Sequence, residues 1–274
     1  MSQKEYFDDA ARRYRSNAVL VPGASQFRNL ILDKAMKKGL TPVLKGFQRL
    51  QVLEVGCGIG RWMNIVAEEN SVIGVDISRF MLKLARSTCR GRRCSFVVAD
   101  VSFLPFKENT FNTVVSITVL QHLLDDKQLV RALSEIARCS KSRALIVEEM
   151  WSAQETLLRE TYCPIRILPL KSYVRRLCAV GLRPMLFRGI TPAIIVIQLA
   201  FFLASKPKLV EGNLINRLKS SRLLSEATHF IMGIGTLPSV FAPVGNYSPY
   251  FSLHTVLIAE KINKGKNLNK KRVS

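Results

Sequence analysis

The chain has 274 residues, 48% of them apolar, which is too many for a disordered chain and enough for one large core or for a domain with a cap. Its formal net charge is +21, which favours an anionic partner such as nucleic acid, phospholipid headgroups or a phosphorylated substrate. The charge is uneven: residues 50–150 carry 13 basic and 11 acidic side chains, residues 1–49 carry 10 and 4, and residues 151–274 carry 18 and 5. The excess lies on the flanks of a nearly neutral centre, where an ordinary solvated basic surface is the alternative reading.

Taken in order, the start Met1-Ser2-Gln3-Lys4-Glu5 is charged and lacks an apolar stretch, so no secretory leader is expected. Residues 3–38 read as two amphipathic helices interrupted near Val21-Pro22-Gly23, with Tyr6, Phe7, Ala10, Ala11 and Tyr14 at helical spacing. Thr41-Pro42 leads into strands expected at 51–55, 72–76, 95–99, 113–117, 143–148 and 182–187. Helices are expected at 61–68, 79–88, 125–139 and 171–180, Ser78 capping the second of them and Gly181 ending the last. The stretch 151–170 reads as irregular. Strands alternating with helices imply parallel pairing with right-handed crossovers. A final strand at 252–260 completes seven.

Between the sixth and last strands lie about sixty residues that begin Thr191-Pro192-Ala193-Ile194-Ile195-Val196-Ile197 and stay apolar to Ala204. That run is shorter than the ~20 residues a bilayer-spanning helix needs. Lys206, Lys208, Arg217, Lys219 and Arg222 follow it, so 191–222 fits either a cap helix over a greasy pocket or a membrane-surface contact. The cap is the preferred reading. Residues 262–274 form a basic tail expected to be disordered. The six cysteines (Cys57, Cys89, Cys94, Cys139, Cys163, Cys178) show no Cys-x-x-Cys pair and no zinc spacing, so free thiols, no metal and a reducing, cytoplasmic compartment are expected.

The chemistry is concentrated in Leu53-Glu54-Val55-Gly56-Cys57-Gly58-Ile59-Gly60-Arg61 and Val72-Ile73-Gly74-Val75-Asp76. Glycines at alternate positions let the backbone turn tightly and approach a ligand, and the helix after them offers free N–H groups. Asp76 ends the next strand about twenty residues on, where such folds hold ribose hydroxyls. The dinucleotide spacing G-x-G-x-x-G fails, since Arg61 stands in its third glycine position.

The G-x-G-x-G form with Glu54 two residues ahead resembles motif I of the class I S-adenosylmethionine-dependent methyltransferases. Val98-Ala99-Asp100 with Leu104-Pro105-Phe106, and Phe111–Ser116 with Val119-Leu120-Gln121-His122, resemble that family's adenine segment and fourth strand. The flavour is that of the ubiquinone and menaquinone group. The resemblance implies an α/β, Rossmann-like, seven-stranded, mostly parallel sheet with helices on both faces and a helical insertion before the last strand, which runs antiparallel at the sheet edge. It divides the chain into N-terminal helices over the site (1–44), a cofactor-binding core (45–188 with 251–261), an inserted cap (189–250) and the tail.

It further implies S-adenosylmethionine as cofactor, held by Glu54, Gly56, Gly58, Gly60, Asp76, Ile77, Asp100, Val101 and Thr118. Gly56, Gly58 and Gly60 would lie against the methionine portion, Asp76 on the ribose, Asp100 on the adenine amino group, Ile77 and Val101 on the ring faces, and Glu54 near the methionyl ammonium. His122, just past the fourth strand, is the candidate general base, with an ordering or packing role as its alternative. Glu148, Glu149 and Trp151 are candidates for the acceptor pocket. Tyr6, Tyr14, Tyr247 and Tyr250 are candidates for its mouth, and His229 and His254 have weaker claims. The expected reaction is methyl transfer to a small or lipid-like acceptor at oxygen or carbon. The fourth strand ends Ser116-Ile117-Thr118, not in the Asn/Asp-Pro-Pro-Tyr of amino-group methylases, and Cys163-Pro164 reverses the order used at cytosine C5. RNA methylation is one alternative, favoured by the basic flanks. A non-catalytic cofactor-binding module docking on a membrane or partner is another.

Overall fold

A computed structural model describes residues 2–14, 26–150, 154–158, 163–189 and 254–262. Two N-terminal helices, α1 (Gln3–Tyr14) and α2 (Gln26–Lys45), precede β1 (Gln51–Val55), α3 (Met63–Val66), β2 (Ser71–Asp76), α4 (Arg79–Thr88) and β3 (Cys94–Val98). Then follow β4 (Phe111–Ile117), a 3₁₀ turn (Leu120–His122), α5 (Asp126–Cys139), β5 (Ser140–Glu149), β6 (Thr156–Leu158), β7 (Ile165–Ile167), α6 (Leu170–Ala179), β8 (Leu182–Gly189) and β9 (His254–Lys261).

Seven strands form one sheet in the order β3-β2-β1-β4-β5-β9-β8. The first five pair in parallel, with Val55 opposite Val75 and Ser116. Strand β9 runs antiparallel to both β5 and β8. The order reverses at β1, so a crevice opens beyond the carboxyl ends of β1 and β4, where open α/β sheets bind ligands.

Strand alternation sorts the core. Leu53, Val55, Val114, Ala144 and Ile146 pack with Leu129, Leu133 and Ile136 of α5 and Tyr173 and Leu177 of α6. Val52, Val115, Ile117, Leu145 and Val147 face the other way, onto Leu40 and Leu44 of α2 and Met63 and Val66 of α3. Caps fall where the sequence places them: the Ser78 hydroxyl accepts from Met81 N–H, and the Asp125 carboxylate accepts from Gln128 N–H.

Four expectations are corrected. The last strand is not at the edge; β9 lies between β5 and β8, and the edge goes to β8, whose Met185 and Leu186 are exposed. The helix expected over 61–68 is a single turn, because its hydrogen bonds tighten to i+3 at Ile65 and Glu68. Helix α2 runs through Pro42 into Lys45 instead of stopping near 38. The stretch read as irregular contains the β6–β7 hairpin, tied down by Arg166, which bonds Glu155 at 2.5 Å and Asp126 at 3.0 Å. The insertion, the tail and the Val21-Pro22-Gly23 break lie outside the described residues. Among those described, no helix is long and apolar enough to cross a membrane.

Candidate active site

The three motif glycines all have positive φ (Gly56 +65°, Gly58 +53°, Gly60 +77°), but for different reasons. A Cβ at Gly56 would come 2.3 Å from Val119 Cγ2, and one at Gly60 would come 2.9 Å from Cys89 Sγ, so both are packed shut. A Cβ at Gly58 would meet nothing within 4 Å. Gly58 is the one that presents bare backbone to open space. Asp76 holds this turn: Oδ2 accepts from Gly58 N–H and Oδ1 from Ser78 N–H, each at 2.9 Å. The carboxylate keeps acceptor capacity for a further donor. Burial pushes the Asp76 carboxyl up to about 6, against the pull of the N–H groups of Ser78 and Gly58. With α3 only one turn long, backbone N–H groups and Asp76, not a helix dipole, define this end of the site.

A cavity of about 230 Å³ opens above the turn. Glu54, Gly56, Gly58, Asp76, Ile77, Asp100, Val101, Thr118 and His122 all line it. Gly60 does not; it is packed beneath the turn against Ala85 and Cys89. Asp100 Oδ1 accepts from Ser102 N–H at 2.7 Å, which orients the carboxylate at the β3 end. Thr118 takes a left-handed φ of +55°, its N–H bound to the Val147 carbonyl at 2.7 Å. Glu54 is 98% buried and its Oε2 has no hydrogen-bond partner. Burial raises its carboxyl well above the usual range. A buried, orphaned acceptor on the cavity wall, an open glycine cradle and a two-oxygen acceptor at the β2 tip fit a ligand with an ammonium, a flexible chain and vicinal hydroxyls. S-adenosylmethionine has all three.

Helix α1 packs over the start of α4, beside Asp76, and supplies one wall of the cavity. Its Asp8 Oδ1 accepts from the Ser78 hydroxyl at 2.5 Å, Arg12 lies over the Phe80 ring at 4.2 Å, and Tyr6 packs with Ile59 and Met81. Gln3 Nε2 donates to the His122 carbonyl. Phe7 meets the His122 ring edge-on at 5.2 Å. Thus Tyr6 lines the cavity as anticipated, joined by Gln3 and Phe7. Helical spacing marked the apolar face of α1, but nothing local marked its partner.

Around the acceptor end, His122 Nδ1 lies 3.4 Å from Cys163 Sγ, and its ring also bonds the Pro164 backbone. Burial holds His122 down to about 4 and pushes the Cys163 thiol up to about 11. Both are therefore neutral at physiological pH. Glu149 and His254 face the same space, His254 Nε2 3.9 Å from Glu149 Oε1, with His254 held down to about 3 by burial and by Arg61. Arg61 stacks on Trp62 at 4.2 Å and pairs with Asp33.

Glu148, expected to shape the acceptor pocket from beyond the fifth strand, instead lies within β5 and turns away from the pocket. It is fully buried and accepts N–H bonds from Val119 (2.9 Å), Leu120 (2.8 Å) and Gln121 (3.2 Å). It therefore supports the loop that carries Thr118 and His122. Tyr14's side chain, Trp151, His229, Tyr247 and Tyr250 lie outside the described residues. Among those described, no group of three or more His, Cys, Asp or Glu is arranged to hold a metal ion.

Comparison with known proteins places this geometry. Residues 52–143 match a family described as "Methyltransferase domain". An uncharacterised protein of Methanocaldococcus jannaschii is 29% identical over 138 residues, 49% of this chain and 57% of that protein. A tRNA (carboxymethyluridine(34)-5-O)-methyltransferase of Arabidopsis thaliana is 29% identical over 104 residues, 38% of this chain and 24% of that enzyme. The chain thus spans little over half of the one relative and a quarter of the other. Magnesium protoporphyrin IX methyltransferase (ChlM) from Synechocystis PCC 6803, crystallised with bound SAH, superimposes with a TM-score of 0.59 at 15% identity, over 94% of this chain and 97% of that one. At that identity the likeness is one of fold, and the quinone-type flavour is not carried by these names. Residues 52–143 thus match a methyltransferase domain, and the sheet order and the glycine turn give the chain the fold of such enzymes.

Proposed function

We propose that this chain transfers the methyl group of S-adenosylmethionine to a small or lipid-like acceptor, with oxygen or carbon as the nucleophile. The observation that carries the proposal is the roofed cavity itself. Its lining combines the polar Glu54, Gly58 and Asp76 with the apolar Phe7, Leu123, Cys163 and Ile165. Such a space suits a compact, partly apolar acceptor.

When bound, the cofactor supplies an electrophilic sulfonium methyl group; the chain's own residues position and shield. Glu54 would accept from the methionyl ammonium, Gly56 and Gly58 would lie against the methionine portion, and Asp76 would accept from the ribose hydroxyls. Asp100 would accept from the adenine amino group, with Ile77 and Val101 on the ring faces and Thr118 at the rim. His122 is neutral and weakly basic at its held-down pKa, which gives little driving force for taking a proton at neutral pH. We assign it to hydrogen bonding of the acceptor, beside Gln121 and Glu149.

RNA methylation is the second reading, supported by the tRNA-modifying relative and by the exposed Arg90, Arg92 and Arg93. Those arginines precede β3 at the sheet's far edge, away from β4 and β5. A membrane-surface role for 191–222 would suit a lipid-like acceptor. The test is transfer of labelled methyl into a fractionated cell extract split into lipid, RNA, protein and small-molecule pools. Label in the lipid or small-molecule pool supports the proposal, and label in RNA alone overturns it.

A further inference from the structure

The surface along α4 and β3 has a charge pattern that methyl transfer does not use. Between Asp76 and Asp100 the chain carries six basic side chains (Arg79, Lys83, Arg86, Arg90, Arg92, Arg93) and no acidic one. All six are exposed. Arg79, Lys83 and Arg86 stand at i, i+4 and i+7 of α4, so they share one face, turned away from the buried Met81, Leu82 and Ala85. Arg90, Arg92 and Arg93 continue the stripe through the turn into β3, the strand that ends the sheet. Arg12 of α1 joins it, since Arg12 and Arg79 both lie over the Phe80 ring, at 4.2 and 5.0 Å. Of the six, only Arg92 has an acidic partner among the described residues, Glu68 at 4.0 Å, and Glu68 is held closer by Lys45, at 3.1 Å.

The same edge carries the two most exposed large apolar side chains among the described residues, Phe103 at 63% and Val98 at 56%. Val98 ends β3 opposite Asp76, level with the start of α4. Phe103 follows in the next turn, where its N–H bonds the Asp100 carbonyl at 3.0 Å and Arg131 lies 5.0 Å from its ring. Asp100 and Val101, which line the cavity, stand between the two in the chain, so this surface borders the cavity.

We propose that the α4–β3 edge docks the protein on an anionic lipid surface, with the basic stripe on the headgroups and Val98 and Phe103 in the layer beneath them. The pairing of the two features decides the partner. A nucleic-acid backbone takes up the cations alone. Val98 has neither a charge for a phosphate nor a ring to stack on a base, whereas the boundary between headgroups and acyl chains takes up apolar side chains beside a basic helix face. The docking extends the reading of a lipid-like acceptor without resting on it, and it uses a surface separate from 191–222.

The test is flotation of the full chain with vesicles of phosphatidylcholine alone or with about one third phosphatidylserine. We expect binding to the anionic vesicles only, weakened by raised salt. Lys83→Gln, Arg86→Gln and Arg90→Gln together should lower it about a hundredfold, at about fivefold per charge. Phe103→Ser alone should lower it about tenfold. Lys141→Gln, Lys171→Gln and Arg175→Gln make the same charge change at other exposed positions and should keep binding within about threefold. Thermal unfolding of each variant checks that it is folded. No binding of the parent to anionic vesicles, or unchanged binding in the edge variants, overturns the proposal. Equal losses in the two triple variants overturn it in favour of net charge alone. An edge triple that keeps its vesicle binding but loses affinity for a single-stranded RNA overturns it in favour of a nucleic acid. Flotation needs neither cofactor nor acceptor, so its failure and that of the methyl-transfer reading are told apart.

Discussion

Glu148→Ala tests how the acceptor-side loop is built. The wild-type carboxylate takes three backbone N–H groups, at 2.9, 2.8 and 3.2 Å, from consecutive residues of a turn that is buried at Leu120 and Gln121. Alanine leaves all three without an acceptor. A stranded buried donor costs ~1–3 kcal/mol; with the two shorter bonds weighted fully and the longest one less, the loss is about 4 kcal/mol. For a chain of this size that lowers Tm by about 8–16 °C. Glu148→Gln keeps acceptors for two of the donors but turns an NH₂ towards the third, and should lose only about 1 kcal/mol. The pH dependence adds a second readout. Burial pushes the Glu148 carboxyl up to about 8 from an unfolded value of 4.5, despite its N–H donors. The folded state then binds more protons across that window, so wild-type stability falls as pH rises from about 5 to 8, and Glu148→Gln should not share that slope. Thermal and urea unfolding of the three proteins at pH 5, 6.5 and 8 reads both effects. A Glu148→Ala protein within about 1 kcal/mol of wild type would show that the loop is held by something else.

Gly56→Ala should cost about 2–4 kcal/mol of stability, since the new methyl meets Val119 at 2.3 Å with φ at +65°, whereas Gly58→Ala costs about 1 kcal/mol and shows its main effect as weaker cofactor binding. Equal unfolding losses in the two would contradict the difference in their surroundings. S-adenosylhomocysteine affinity, measured by calorimetry from pH 4.5 to 8, should be flat above about 6 and fall towards tenfold per pH unit below it, as Asp76 gains the proton that its hydroxyl-accepting form must lack. His122→Asn should leave the rate within about tenfold and introduce no change between pH 6 and 8, because burial already holds His122 at about 4; a wild-type inflection near 6.5 that the variant abolishes would restore the general-base role. Asp8→Asn together with Ser78→Ala should raise the cofactor off-rate by undoing the 2.5 Å bond that fastens α1 across the cavity, with stopped-flow displacement as the assay.

What was legible in the sequence was what local pattern decides. The glycines, the strand-tip Asp76 and the alternation in β1, β4 and β5 each follow from a few neighbouring residues, and the structure gathers all the anticipated cofactor residues but Gly60 around one cavity. What was hidden depends on distant partners. Glu148 looked like a pocket residue because it follows a strand, yet strand alternation turns it inward under residues 27 to 29 positions earlier. The Cys163–His122 contact joins residues 41 apart, and the Asp8–Ser78 bond joins residues 70 apart. Neither leaves a periodic trace. Strand β9 was placed at the edge by the family resemblance and not by its own residues; it is buried along most of its length between β5 and β8, and β8, with its exposed Met185 and Leu186, bears the edge signal.

The account rests on a cofactor held between Gly58, Asp76 and the unpartnered Glu54. The most direct measurement is calorimetric titration of the purified, folded chain with S-adenosylmethionine and S-adenosylhomocysteine, beside Asp76→Ala. One-to-one binding is predicted for both ligands, weakened at least tenfold, or ~1.4 kcal/mol, by the substitution. No heat with either ligand, or an Asp76→Ala affinity equal to wild type, would contradict it.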